Sequence, residues 1–213
     1  MSERVSVAVD GPTVVRAALE RCVGSGGVAV FPADGLYGLA CDPLDANAVD
    51  RIQALKGREE RKPSAVMYFS PLAMRELLDG LGPLVGEAAG RLLPGPVTLV
   101  IPNPRHRYPL ACREDPERLG VRLIEGPLAG AMTPVFQTSA NLSGEPAPAR
   151  FDEVPDEIVA GVDLAIDGGE LTGLQSTVLD LTELDTTGDW RVLREGALSR
   201  EALESVLISR EAG

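Results

Sequence analysis

The chain has 213 residues, 44% hydrophobic and 24% charged, with 32 acidic against 20 basic side chains and a formal net charge of −12. That length supports one sizeable core and is short for two ordinary domains, while the acidic excess argues against a broad basic face for long nucleic acids or anionic membranes. A single histidine, His106, excludes a zinc site built from histidines and any mechanism that needs two of them.

The first residues carry no long apolar core, and no run reaches the roughly 18 apolar residues of a membrane span, so a cytoplasmic protein with no membrane partner is expected. Cys22, Cys41 and Cys112 lack CxxC spacing and predict free thiols in a reducing compartment. Val15, Ala18, Leu19, Cys22 and Val23 recur at helical spacing after Pro12 and predict a helix over 12–23, stopped by the glycines at 24–27. Residues 28–31 and 36–41 read as two short strands around a turn-rich loop. Ala48, Val49, Ile52 and Leu55 line one side of a following helix that Asp45 or Asn47 can cap and that ends near Gly57.

A strand is expected over 64–69, then helices over about 72–80 and 84–93, then a strand over 97–101. Residues 102–118 are polar and irregular and read as a surface hairpin. A strand over 120–124, a short helix over 127–132 and a strand over 135–138 follow. The Pro- and acid-rich stretch 145–157 belongs at the surface. Residues 164–167, 176–180 and 190–194 form three more short strands, and the last helix runs from Ser199 to Ile208. Short strands mixed with single helices predict an α/β fold, and the adjacent strands at 28–41 give its sheet an antiparallel component.

Three distant islands carry the polar chemistry: residues 31–39, 56–63 and 137–144. Lys56, Arg58, Arg61 and Lys62 place four cations in seven residues. They form either a solvated basic turn offset by Glu59 and Glu60 or a clamp for phosphate, in which a guanidinium supplies a planar fork and an ammonium a mobile charge. Thr138, Ser139, Asn141 and Ser143 offer hydroxyl and amide groups to a phosphate or ribose, or else build an Asx turn. Asp34 either orients a cation or substrate amine or caps a tight loop. Ser176 and Thr177 follow a glycine-bearing loop, and Arg194 places a cation at a strand end. Cys41 is either a nucleophile or a buried inert thiol. The phosphate-cradling GxxxxGK[ST] and GxGxxG patterns are absent.

Together these stretches resemble the L-threonylcarbamoyladenylate synthase family, the Sua5/YciO/YrdC group. The resemblance covers roughly residues 12–200 and is carried, in order, by F31-P32-x-D34-x-x-Y37-G38-L39, K56-G57-R58 with K62-P63, L93-P94-G95-P96-V97-T98-L99, G120-V121-R122, T138-S139-A140-N141-L142-S143-G144, S176-T177-V178 and R194-E195-G196. It implies a twisted, mixed α/β sheet with helices on its faces, of the YrdC/RibB-like kind, and a single YrdC-like domain over 1–213 with its core at about 12–200. It also implies the short form of the family, without the extra C-terminal domain of longer members.

The activity implied is ATP-dependent synthesis of L-threonylcarbamoyladenylate from L-threonine and bicarbonate, with Mg2+ and release of pyrophosphate, for the t6A modification of tRNA. By motif match, Lys56 and Arg58 would carry the catalytic charge, and with Ser139, Asn141, Ser176 and Arg194 they would hold the nucleotide. Asp34, Tyr37, Lys62, Thr138 and Thr177 would meet the other substrate. The t6A transferase machinery, and weakly RNA, are the further partners implied, and a non-catalytic nucleotide- or RNA-binding module is the alternative. The chain departs from the family at F31-P32-A33-D34-G35, where F-P-T-[ED]-T is common. A40-C41-D42 and K62-P63-S64-A65-V66-M67 also resemble the related domain of hydrogenase-maturation carbamoyltransferases, which handles carbamoyl-adenylate. A different substrate for a carbamoyl-adenylate-forming enzyme is therefore the second expectation.

Overall fold

The computed structural model describes residues 2–57 and 63–208. Strand β1 (Glu3–Ser6) runs into α1 (Val7–Gly24), where Gly11 breaks the helix with φ 80°. Regular helix therefore starts at Pro12, whose missing N–H is harmless in a first turn. Strands β2 (Ala29–Pro32) and β3 (Tyr37–Cys41) form the antiparallel pair expected from the sequence. The Asp45 carboxylate caps α2 (Ala46–Leu55), accepting from the backbone N–H of Asn47 at 2.9 Å and Ala48 at 3.1 Å. Next come β4 (Ala65–Tyr68), α3 (Pro71–Leu78), α4 (Pro83–Leu92) and β5 (Val97–Pro102), both helices opening on proline.

The expected hairpin at 102–118 is instead a wired loop with one short helix, α5 (Pro109–Cys112). The buried Asn103 gathers it, donating to Arg107 O at 3.0 Å and Pro116 O at 2.8 Å. Its side chain thus takes over the bonding a hairpin ladder would have provided. Strands β6 (Arg118–Leu123) and β7 (Val135–Ser139) follow. The helix expected over 127–132 is only a turn, bounded by Gly126 and Gly130 at φ 101° and 91°. The stretch 145–157 contains a 3-10 turn (Phe151–Glu153) and leads into α6 (Asp156–Gly161). Strands β8 (Leu164–Asp167), β9 (Thr177–Asp180) and β10 (Arg191–Arg194) and helix α7 (Arg200–Ile208) complete the order.

Among the described residues the strands form one ten-stranded mixed sheet, ordered β1-β8-β2-β3-β7-β4-β6-β5-β9-β10. Four pairs are parallel (β1/β8, β2/β8, β4/β6, β5/β9) and the other five are antiparallel. The period-two alternation of strand side chains divides the core into two layers. Val28, Val30, Leu39, Val66 and Tyr68 join the larger cluster with helices α2, α3, α4 and α6. Ala29, Phe31, Ala40, Met67 and Phe69 face the other way, onto Val15, Ala18, Leu19 and Val23 of α1. Helix α1 contacts β1, β2 and β8. At the other end of the sheet, Val97, Leu99 and Ile101 of β5 and Leu119, Val121 and Leu123 of β6 still enter the larger cluster, but no residue of β5, β6, β9 or β10 enters the smaller one. The uncovered face there forms the floor of a cavity.

Candidate active site

A cavity of about 500 Å³ opens on this face. Its floor follows from strand alternation: Thr98 and Val100 on β5 and Arg118, Gly120 and Arg122 on β6 face it, while their neighbours enter the core. The β2–β3 loop supplies Ala33, Asp34 and Leu36, and β7 supplies Gln137, Thr138 and Ser139. Ser176 and Arg194 close the far side, and Leu174 and Leu193 stand exposed at the mouth.

One side of the cavity is rich in donors. Arg122 is buried on β6 and forms an ion pair with Asp34, and a longer contact of 3.4 Å to Gln137 Oε1. Its Nε is buried with no hydrogen-bond partner, as is Asp34 Oδ2. Arg194 donates to Ser176 O at 2.8 Å and Ser176 Oγ at 3.1 Å, and Ser176 Oγ also bonds Thr98 Oγ1 at 2.9 Å. Burial pulls the Arg194 pKa below its ordinary value, with Arg122 adding to the shift. Three guanidiniums, of Arg118, Arg122 and Arg194, thus share the cavity with the carboxylates of Asp34 and Asp115, an arrangement that gains from an anion. Arg118, nearer the edge, is bound by Asp180 at 2.6 Å and by Asp115 at 3.6 Å.

Gly196 explains the short R194-E195-G196 signature. A Cβ at this position would overlap the backbone of Gln175, Ser176 and Thr177, so only glycine lets the chain lie close enough for Arg194 to reach Ser176. Gly35 is fixed in the same way, since a side chain there would collide with the Leu174 carbonyl, and Gly173 N–H donates to Gly35 O at 2.9 Å.

Asp34, Tyr37, Thr138, Ser139, Ser176 and Arg194 come together in the cavity wall. Tyr37 contributes its ring, but its hydroxyl donates to Gly169 O at 2.7 Å and accepts from Gly168 N at 2.9 Å. Burial pushes its pKa up to about 12. Three other expected site residues have their polar groups engaged within the protein. Lys56 is fully buried, and its ammonium donates to Ser139 O, to Asn141 O at 2.7 Å and to Asn141 Oδ1 at 3.0 Å. It braces the 139–141 turn from behind. Asn141 is also buried, its amide nitrogen donating to Leu142 O and Glu145 O. The Asn141 side chain therefore braces the island from inside, without the backbone N–H acceptance of an Asx turn, while Ser139 stays in the wall. Thr177 is sealed off, its hydroxyl donating to Leu198 O at 2.8 Å and accepting from Leu198 N at 2.9 Å. Arg58 and Lys62 lie outside the described residues.

Sequence reasoning passed over Arg118 and Arg122 as individual cavity groups. The available signal was an arginine at alternate positions in an otherwise apolar strand, R118-L119-G120-V121-R122. Cys41 is buried and burial pushes its thiol pKa far up, as it raises that of Cys112, so neither is a ready nucleophile.

The fold is thus an α/β protein whose mixed sheet leaves one face open over an arginine-lined cavity. The Sua5/YciO/YrdC family model, described as "Telomere recombination", matches residues 21–196, and the chain belongs to this family. It is 34% identical over 192 residues to a threonylcarbamoyl-AMP synthase of Pyrococcus abyssi, covering 85% of this chain and 54% of that one. It is 34% identical over 164 residues to a threonylcarbamoyl-AMP synthase of Marinobacter nauticus, covering 70% of this chain and 86% of that one. The chain thus spans about half the length of the Pyrococcus relative. Among solved structures, P. abyssi Sua5 complexed with L-threonine superposes with a TM-score of 0.80 at 29% identity, covering 97% of this chain and 61% of that one. E. coli YciO superposes with a TM-score of 0.78 at 26% identity, covering 95% of this chain and all of that one.

Proposed function

We propose that this protein is a nucleotidyltransferase that makes L-threonylcarbamoyladenylate from L-threonine, bicarbonate and ATP, releasing pyrophosphate, as a step toward t6A in tRNA. The observation that carries this reading is the presence in one cavity of the buried Arg122, ion-paired with Asp34, and the half-open Arg194, together with the acceptor Asp34 Oδ2 and Ser139. An amino acid, a carboxylate and a polyphosphate need such a divided site. The synthase relatives support the same reaction.

Bicarbonate would supply CO2 and hydroxide; the neutral threonine amine would add to the CO2 carbon to form an N-carboxylate, and the proton it loses would join the hydroxide as water. A carboxylate oxygen then attacks the α-phosphorus, the bond from that phosphorus to the bridging oxygen breaks, and pyrophosphate departs with the electron pair. Charge grows on phosphate oxygens and the leaving group, and fixed guanidiniums stabilise it without reorganisation. Arg122 and Arg194 fill that role, with Ser176 orienting Arg194. Arg58 and Lys62 are proposed to add charge from the neighbouring segment. No protein nucleophile is needed. Among the described residues no cluster of three or more His, Cys, Asp or Glu side chains could hold a metal, so Mg2+ would arrive on the triphosphate as part of the substrate.

Residues 12–200 are read as one YrdC-like unit in a cytoplasmic protein, and the t6A transferase machinery as the consumer of its product. Among the described residues no helix is long and apolar enough to cross a membrane. The net charge of −12 argues against more than weak RNA binding.

A second reading keeps the cavity and changes the amino acid. It rests on Ala33 and on Gly35, whose missing side chain is replaced by the Leu174 backbone. Purified protein given labelled bicarbonate, ATP and each of threonine, serine and glycine tests both. Threonine-dependent adenylate and pyrophosphate are expected. A clear preference for another amine would favour the second reading, and no product with any of them would defeat both.

A further inference from the structure

Between the two ends of strand β6 the cavity floor changes character. Arg118 and Arg122 both face the cavity, and Gly120 lies between them on the same side. The strand registers put Ala65 of β4 and Val100 of β5 beside Gly120, so the three form one row across neighbouring strands. All three line the cavity and are half-buried, an apolar shelf about 10 Å wide at the usual spacing between strands. Packing does not require the glycine. Among the described residues a Cβ there would meet Ala65 first, at 3.5 Å, which is an ordinary contact. The missing side chain keeps the shelf flat.

One end of the shelf carries an acceptor beside a donor. Arg118 Nη1 and Asp115 Oδ2 stand 3.6 Å apart, close enough to attract and too far for a hydrogen bond, so both keep bonding capacity. The buried Asp180 fixes the guanidinium from behind, accepting from Arg118 Nη2 at 2.6 Å, and is itself held by the backbone N–H and hydroxyl of Thr182. Neither Asp115 nor Arg118 lies in the motifs that carry the family resemblance.

We infer that the shelf receives the nucleobase of ATP and that Asp115 and Arg118 read its edge, the carboxylate accepting from the exocyclic amino group and the guanidinium donating to the ring nitrogen beside it. An adenine needs a flat apolar surface and, at its amino-bearing edge, an acceptor next to a donor. The shelf and the pair supply these together. Arg122, two positions beyond Gly120, marks the phosphate end. Asp180 acts through Arg118 as a positioning residue. The inference rests on the proposed use of ATP and names the residues that choose its base.

The test compares ATP with purine riboside triphosphate, which has hydrogen in place of the amino group, by calorimetric titration. Wild type should bind ATP about tenfold more tightly, the worth of one well-placed hydrogen bond, and Asp115→Ala should bring the two nucleotides level. The ratio is read rather than either affinity, because removing a carboxylate also eases binding of any polyanion. Asp115→Asn, which keeps an acceptor oxygen, should retain most of the preference. Gly120→Val, which fills the shelf, and Arg118→Lys, which keeps a charge against Asp180 but loses the fork, should each weaken both nucleotides several-fold and leave inorganic triphosphate binding unchanged. Equal binding of the two nucleotides by wild type, an unchanged ratio in Asp115→Ala, unchanged nucleotide binding in Gly120→Val, or lost triphosphate binding in either of the last two variants would overturn the inference. If Asp115→Ala melts early, the wild-type ratio and Gly120→Val decide. If both nucleotides bind but no amine yields pyrophosphate, the reaction reading fails alone and the ratio still decides the base site. If neither nucleotide binds, the use of ATP is refuted and the inference falls with it.

Discussion

The back and the front of this site both use cations, one at the end of α2 and the others on strands, and their settings are opposite. Behind the wall, Lys56 is fully buried and donates to three neutral oxygens of Ser139 and Asn141. In front, Arg194 is bonded on one side to Ser176 but lines an open cavity, and Arg122 keeps a buried Nε without a partner. A buried charge that donates to backbone and amide oxygens holds a turn in place, whereas a charge with unmet bonding capacity beside a cavity is prepared for a ligand. The fold therefore separates bracing from binding, although the sequence presents both as basic residues in short polar motifs.

The largest effect that could break this comparison is at the back. Lys56→Met should strip donors from buried oxygens and lower stability by about 3 kcal/mol or more, a Tm loss on the order of 10 °C. A denaturant or thermal melt at the wild-type midpoint would mean that the ammonium is not a brace. At the front, Arg194→Ala should leave the melt within about 1 kcal/mol of wild type while weakening ATP binding by roughly 10- to 100-fold, the range of a charge-assisted contact. Calorimetry on ATP beside a melt reads both, and an unchanged affinity would empty the cavity of its proposed anion.

Gly196→Ala sharpens the boundary between the two regions. The added methyl overlaps the 175–177 backbone, so about 1–3 kcal/mol of stability should be lost, as in other overpacked sites. ATP affinity should fall as well, because Arg194 is displaced from Ser176. The smallest effect is expected for Thr177→Val, which removes the paired bonds to Leu198 but faces no ligand. It should cost about 1–2 kcal/mol in a melt and leave KM for ATP unchanged. A raised KM would return Thr177 to the binding face.

The sequence by itself determined most strands and helices, because the apolar run over 97–101 and helical spacing over 12–23 record burial directly. It also determined which segments meet, through motif order, and its small residues marked close approaches at Gly35 and Gly196. It did not reveal β1, four residues whose edge position depends on parallel pairing with β8, far away in the chain. Nor did it reveal the Asn103 loop, held by side-chain bonds that leave no periodic trace. Only the tertiary structure decided which polar residues face the cavity. Ser139 and Asn141 stand two apart, as do Lys56 and Arg58, yet the first pair divides between wall and interior. Whether a lysine holds a phosphate or a backbone carbonyl depends on which surface closes over it. That closure comes from strands distant in sequence, and a list of residues in chain order does not contain it.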